Sequence, residues 1–145
     1  MTAPAAGYSG TPLWKKLGLK PGLRVLLLNP PEDIDALLAG APRDLERLAR
    51  LAPFDFALAH FTSARALNAA LARLEPNLAP DGMVWIAWPK KASGVATDLT
   101  ENVVRDAALA RGLVDVKVCA IDATWSGLKL VRRLRDRAAK RSQSR

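Results

Sequence analysis

The feature that most constrains the fold of this chain is a run of six apolar residues, Met-Val-Trp-Ile-Ala-Trp, at positions 83–88. An Asp-Gly pair precedes the run and Pro89 ends it. A short, continuous apolar run with such boundaries is typical of a strand that is buried on both faces of a sheet. The run therefore predicts the central strand of an α/β sheet.

Four further segments predict strands. Residues 24–28 form an apolar run that Asn-Pro-Pro stops, and Phe54, Phe56 and Leu58 lie in a second predicted strand that reaches His60. Residues 114–121 alternate between apolar and polar side chains, which suits a strand that is wet on one side, and residues 128–133 follow as a return strand. We expect these last two strands to pair as an antiparallel hairpin.

Helices are predicted between the strands from the spacing of apolar residues and from capping residues. A proline-rich stretch, residues 76–80, breaks the fourth helix, and Asp81-Gly82 predicts a turn into the central strand. The predicted helices cover residues 12–17, 33–38, 42–51, 64–75 and 101–111.

The order of the elements predicts an α/β fold with a three-layer, Rossmann-like sheet of about five strands, mostly parallel, with a C-terminal antiparallel hairpin. If each strand is added on the same side, the crossover helices cover one face and leave the other bare beside the first strand. The N-terminal helix that carries Trp14, or a dimer partner, would cover that bare face. A monomer and a homodimer therefore both remain open.

The chain of 145 residues predicts one domain at residues 11–133, after a disordered N-terminus at residues 1–10 and before a basic, flexible tail at residues 134–145. The net charge of +8 is concentrated near the end, because residues 132–145 hold seven bases and one acid, against 15 bases and 13 acids elsewhere. Such a tail is either a solvated end or a salt-sensitive contact for nucleic acid.

Composition excludes several other classes. No stretch approaches the ~18 apolar residues of a membrane span, and the N-terminus lacks a basic region followed by an apolar core. Cys119 is the only cysteine, so no internal disulfide can form. We therefore expect a cytoplasmic protein without membrane contact.

The loop after the central strand is a candidate anion site. Lys90 and Lys91 offer positive charge, Ser93 offers a hydroxyl and Gly94 allows close approach of the backbone. Thr100 then begins a helix, whose N-terminus carries a partial positive charge. A phosphate or carboxylate would suit this loop, although solvated lysines and ordinary capping residues would give the same sequence.

Other residues should line the same cleft, because ligands of open α/β sheets bind beyond the carboxyl ends of the strands. His60 is either a general base or a hydrogen-bonded structural residue, and Trp125 either stacks on a planar ligand or covers the end of the sheet. No metal site is expected, since the chain has no histidine or cysteine cluster. The predicted cleft residues are Asn29, His60, Trp88, Asp98 and Trp125.

The second half of the chain resembles a class I methyltransferase sheet. The resemblance rests on the proline-ended helix, the Asp81-Gly82 pair, the central strand and the final alternating and return strands. Such enzymes carry a glycine-rich turn after their first strand and an acidic residue at the end of their second. Here the first position reads Asn-Pro-Pro-Glu at residues 29–32, and we expect the second and third strands to be missing. Binding of S-adenosylmethionine in the usual manner is therefore not expected.

Three longer phrases resemble a family of small bacterial proteins of unknown function. They read Gly-Tyr-Ser-Gly-Thr-Pro-Leu at residues 7–13, Trp-Pro-Lys-Lys-Ala-Ser-Gly at residues 88–94, and Thr-Trp-Ser-Gly-Leu-Lys at residues 124–129. The resemblance spans residues 7–133. It implies one recurring unit and supplies no activity, cofactor or catalytic residue.

Three functions are compatible with these patterns. The first is a non-catalytic module, without a cofactor, that binds a small anionic or nucleotide-like ligand or a protein partner at the strand ends. The second is an enzyme that uses His60 or Asp98 beside the same loop. The third is association with nucleic acid through the basic tail.

Overall fold

The computed structural model describes residues 10–143, with backbone alone for residues 141–143, and shows one six-stranded sheet packed between helices. The predicted disordered segment falls almost wholly outside the described residues. The strands are β1 (Arg24–Leu28), β2 (Glu46–Arg47), β3 (Phe54–His60), β4 (Leu78–Pro89), β5 (Leu113–Ala120) and β6 (Trp125–Arg132). The helices are α1 (Leu13–Leu17), α2 (Ile34–Leu37), α3 (Ala64–Asn77), α4 (Glu101–Leu109) and α5 (Leu134–Gln143), with a 3₁₀ turn at Lys91–Ser93.

The strand order is β2-β1-β3-β4-β6-β5. Strands β1 to β4 pair in parallel, and β6 is antiparallel to both of its neighbours, β4 and β5. The predicted α/β class, with a mostly parallel sheet and a C-terminal hairpin, is confirmed. The sheet has six strands in place of about five.

The additional strand is β2. It lies where a helix was predicted at residues 42–51, and that prediction is wrong. Leu45, Leu48 and Leu51 have helical spacing, but Leu45 packs on one face of the sheet and the other two pack on the opposite face. The amide of Leu48 donates to the carbonyl of Val25 at 2.8 Å, so this backbone extends the sheet. The expectation that the second strand of the methyltransferase sheet is missing was therefore wrong, because β2 follows β1 and pairs with it.

The turn predicted at Asp81-Gly82 is also absent, because β4 already begins at Leu78. Leu78 pairs with Phe54 and Met83 pairs with Phe56, so residues 79–82 form a bulge that takes the place of the turn. Gly82 is required there, since a Cβ at this position would lie 2.8 Å from the carbonyl oxygen of Asp55.

A hydrophobic core lies on each face of the sheet. Helices α3 and α4 bury Leu71 and Val104 on one face. On the other face, α1 and α2 bury Leu17 and Ile34, and the Nε1 of Trp85 donates to the carbonyl oxygen of Leu17 at 2.8 Å. The N-terminal helix does cover the face that would otherwise be bare, but α2 joins it, so the crossover helices do not all lie on one face.

The C-terminal hairpin differs from its predicted form in two ways. Strand β6 begins at Trp125, three residues before the predicted start of the return strand at residue 128. A bulge in β5 lies between Asp115 and Lys117, so these two residues face opposite sides of the sheet, although simple alternation put them on the same side.

The basic segment after β6 forms helix α5, part of the tail that was predicted to be flexible. The ammonium group of Lys140 donates to the carbonyl oxygen of Pro76 at 2.8 Å. Arg132, which is buried, reaches the carboxylate of Glu75 at 2.6 Å and the carbonyl of Leu78 at 2.8 Å. These bonds attach the start of the basic segment to the end of α3.

Candidate functional site

The carboxyl ends of β1 and β3 form the topological switch point of the sheet, where successive connections pass to opposite faces. The connection after β1 runs through α2 on one face of the sheet, and the connection after β3 runs through α3 on the other. In open α/β sheets the crevice at such a switch point is the usual ligand site. Asn29 follows β1 at this crevice, and His60 ends β3.

Asn29 adopts a left-handed backbone conformation, with φ of 53°, the only non-glycine residue with positive φ in the described part of the chain. Its Nδ2 donates to the backbone carbonyl of His60 at 3.1 Å, which ties the ends of β1 and β3 together. Pro30 and Pro31 follow, and neither has a backbone N–H. This turn therefore offers a bound group few backbone donors.

His60 is 3% exposed, and neither ring nitrogen has a hydrogen-bond partner among the described residues. Its ring meets that of Trp125 edge to face, with centroids 4.8 Å apart and an interplanar angle of 84°. Burial lowers the pKa of His60 to about 4, an effect that Asp122 and Asp33 oppose through their charges. At neutral pH the ring is uncharged and has one N–H donor and one acceptor nitrogen.

The turn before β6 holds Trp125 over this histidine. Oδ1 of Asp122 accepts hydrogen bonds from the amides of Thr124 and Trp125, both at 2.8 Å. The carbonyl of Thr124 in turn accepts from the amide of Lys90 at 2.8 Å. The Trp125 turn and the start of the lysine loop are therefore joined at one end of the sheet.

Inside the lysine loop, the polar groups predicted to bind an anion bond to the loop itself. The hydroxyl of Ser93 donates to the carbonyl of Lys90 at 2.6 Å and accepts from the amide of Val95 at 3.2 Å. Gly94 takes a left-handed conformation with φ of 76°, and the Thr100 hydroxyl caps α4 by accepting from the amide of Val103 at 3.2 Å. Positive charge at the strand ends therefore comes from Lys90, which is partly buried, and from the exposed Lys91.

Two further contacts hold the loop against the start of α3. The hydroxyl of Thr97 donates to the carbonyl of Thr62 at 2.6 Å, and Oδ1 of Asp98 accepts from the amide of Ala64 at 2.7 Å. The loop therefore lies against the β3–α3 connection. Asp98 satisfies one of the free N–H groups at the N-terminus of α3.

Replacement of Asp98 by Ala should lower the free energy of unfolding by about 1 kcal/mol, the usual worth of a capping side chain. Urea denaturation of the variant measures this loss. Asp106→Ala is the matched control, because this aspartate of α4 is exposed and its carboxylate has no ion pair within the described part of the chain. Equal stability of the two variants would contradict a fastening role for Asp98.

The structure brings Asn29, His60 and Trp125 together and attaches the lysine loop to them through Thr124. Trp88 does not line this crevice, because it packs in the core under α3 and α4. Sequence reasoning missed Asp122. The Asp-Ala-Thr-Trp order was its signal, since an aspartate commonly bonds the backbone two residues on.

Solved structures with a similar fold include several methyltransferases. A SAM-dependent methyltransferase from Aquifex aeolicus matches with a TM-score of 0.56 and 14% identity over 81% of this chain and 86% of that one. Magnesium protoporphyrin IX methyltransferase from Synechocystis PCC 6803 with bound SAM matches with a TM-score of 0.53 and 12% identity, over 83% and 74%. An O-methyltransferase from neocarzinostatin biosynthesis, in complex with S-adenosylmethionine and a naphthoic acid, matches with a TM-score of 0.61 and 13% identity, over 83% and 50%.

This is a methyltransferase-like Rossmann fold. At sequence identities of 12–14%, the similarity concerns the fold alone. No protein-family model matches the sequence, and no curated protein matches it. Within residues 10–143, no helix has the length and apolar character needed to cross a membrane, and no group of three potential metal-ligating side chains occurs.

Proposed function

We propose that this protein is a binding module for a small nucleotide-like ligand, held at the carboxyl ends of β1 and β3 without chemical conversion. The observation that carries the proposal is His60, a buried side chain at the switch point with two ring nitrogens that lack partners among the described residues. A buried donor or acceptor without a partner costs about 1–3 kcal/mol. A ligand that supplies the missing partners would recover that free energy.

The neutral imidazole suits the edge of a heterocyclic base, because such an edge places hydrogen-bond donors beside acceptors. The ring of Trp125 now covers His60, so a ligand must displace or slide beneath this half-buried ring. An indole can stack on the face of a planar base. Trp125 therefore acts in this proposal as a movable cover that becomes part of the bound site.

Lys90 and Lys91 would meet the negatively charged part of the ligand. The amide of Lys90 donates to the carbonyl of Thr124, next to Trp125. The lysine loop and the aromatic cover are therefore linked by a backbone hydrogen bond. Two lysines in succession suit a phosphate better than a neutral sugar.

The same crevice differs from what S-adenosylmethionine needs in its usual mode of binding. Pro30 and Pro31 cannot donate backbone hydrogen bonds, and the side chain of Asn29 already bonds to the carbonyl of His60. Several fold neighbours are complexes with S-adenosylmethionine. For this chain we therefore expect nucleotides to bind more tightly than S-adenosyl compounds.

Binding is favoured over catalysis by the state of the two titratable candidates. A histidine with a pKa of about 4 is a weak base at neutral pH, where efficient general bases have a pKa close to the working pH. The carboxylate of Asp98 bonds to the amide of Ala64. His60 is therefore not poised to take a proton from a substrate at neutral pH, and Asp98 has a structural contact at the start of α3.

Calorimetry and thermal shift with adenosine, AMP, ATP, S-adenosylhomocysteine and inorganic phosphate would test the proposal. We expect AMP or ATP to bind, and His60→Phe to weaken that binding at least tenfold, because it removes both ring nitrogens while filling the same space. The double variant Lys90→Ala/Lys91→Ala should weaken AMP and ATP but leave adenosine unchanged. A control pair, Lys15→Ala/Arg43→Ala, changes two exposed cations elsewhere. Binding that is absent from the whole panel, or that is unaffected by His60→Phe, would refute the proposal.

A further inference from the structure

Two lysines lie side by side on the face of the sheet that α1 covers, away from the strand ends, and a third follows α1. Lys117 of β5 and Lys129 of β6 are directly opposite each other in the antiparallel ladder. On its other side Lys129 is opposite Trp85 of β4, whose indole bonds to the end of α1. The bulge in β5 creates this arrangement, because it turns Lys117 to the side of the sheet on which Lys129 lies.

The end of α1 leads to a third lysine. The Nζ of Lys117 donates to the carbonyl oxygen of Lys16 at 3.3 Å, and the chain continues from there to Lys20. The pKa of Lys129 is lowered, first by its partial burial and then by the charges of Lys117 and Lys20. All three cations therefore act on one region.

None of the ion pairs in the described part of the chain involves this cluster, which we call the lysine triad: Lys20, Lys117 and Lys129. Within the described part of the chain, no carboxylate lies within 4.0 Å of their ammonium groups, and residues 1–9 contain no Asp or Glu. Lys20 also lines a groove of about 500 Å³ with Asp55 and Asp81, but Asp55 is paired with Arg24 at 3.0 Å.

Like charges that lie directly opposite each other in a sheet are destabilising. A local arrangement that opposes folding without visible compensation is expected at a functional site. Here the missing compensation is a negative charge. The paired positions of Lys117 and Lys129 direct both side chains to the same face of the sheet, and several ammonium groups on one face suit a small anion with several acceptor oxygens.

We propose that the lysine triad is a binding site for a phosphate-bearing small anion, separate from the nucleotide-like site at the strand ends. Inorganic phosphate, pyrophosphate and the phosphate tail of a larger metabolite share the chemistry that the triad would recognise. The site lies on the α1 face, whereas His60 lies at the carboxyl edge of the sheet.

Calorimetric titration of the full chain with sodium pyrophosphate tests the site. We expect Lys117→Gln/Lys129→Gln to weaken binding at least tenfold and the control Lys15→Gln, an exposed lysine of α1, to change it less than twofold. His60→Phe should leave pyrophosphate binding unchanged, so the two proposed sites fail or hold independently. Equal loss in the control would show general attraction to a cationic protein, and it would overturn the triad as a site.

Two further measurements distinguish a site from three chance neighbours. Without anion, the double variant should melt at a higher temperature than the wild type, because it removes like-charge repulsion. With saturating pyrophosphate that order should reverse. NMR titration of the Lys129 side chain should show its pKa rising when pyrophosphate binds. If pyrophosphate changes neither the pKa of Lys129 nor the order of the two melting temperatures, the proposal is rejected even if weak binding is detected.

Discussion

Acidification from neutral pH to about pH 4 should lower the free energy of unfolding by about 3 kcal/mol through His60 alone. This figure follows from a pKa that falls from 6.5 to about 4 on folding, at 1.36 kcal/mol per pKa unit. Above pH 6.5 the ring is neutral in both states and adds no pH dependence. Between pH 6.5 and 4 the ring is protonated in the unfolded chain but not in the folded protein, so the free energy of unfolding decreases as the pH is lowered. Below pH 4 the loss is complete.

Urea denaturation from pH 7.5 down to pH 4 measures this slope. His60 is the only histidine, so His60→Phe should remove most of the pH dependence in this window. Asp55 provides an internal comparison, because its bond with Arg24 holds its pKa below the ordinary 3.8. Its contribution is present above that pH and is lost only in stronger acid. A steep slope that survives in His60→Phe would contradict the burial of this ring.

Replacement of Trp85 by Ala should lower the free energy of unfolding by about 4 kcal/mol, within the range for large aromatic residues in cores. Its side chain is fully buried at the centre of the α1 face, and it bonds to the carbonyl of Leu17. The loss combines a cavity with an unpaired carbonyl at the end of α1. Guanidinium denaturation gives the magnitude. In hydrogen exchange, the substitution should speed the exchange of α1 amides more than that of α3 amides.

Trp85→Phe separates the two contributions. It keeps most of the apolar volume but removes the indole N–H, so we expect a loss of about 1–3 kcal/mol, the cost of a buried polar group without a partner. Trp14→Ala is the control on the same face, because Trp14 is only partly buried there. If Trp14→Ala were as damaging as Trp85→Ala, the central position of Trp85 in this core would be wrong.

Patterns that depend on burial were predictable from the sequence. The apolar runs at residues 25–28, 56–59 and 83–88 are continuous because both faces of those strands are covered. The helix at residues 42–51 failed for a physical reason. Leucines spaced by three fit a helix face, but in the folded chain they divide between the two sides of the sheet, and only long-range pairing with β1 decides this.

The candidate site was predictable as a location and not as a set of contacts. The end of each parallel strand is visible in sequence, which placed Asn29 and His60 at one edge. Hydrogen bonds between distant segments decide what each polar group does there. Asp98 bonds to Ala64, and Thr97 bonds to Thr62, across more than thirty residues. The lysine triad was invisible for the same reason, since one bulged residue in β5 sets which side Lys117 faces.

The interior position of β6 affects how the protein folds during synthesis. Both neighbours of this strand, β4 and β5, leave the ribosome before it does, so each exposes an unpaired hydrogen-bonding edge while the rest of the chain is made. Exposed edges of this kind are templates for pairing with other molecules. The nascent chain is therefore most exposed to aggregation in the interval before residues 125–132 emerge, when a chaperone would protect it most.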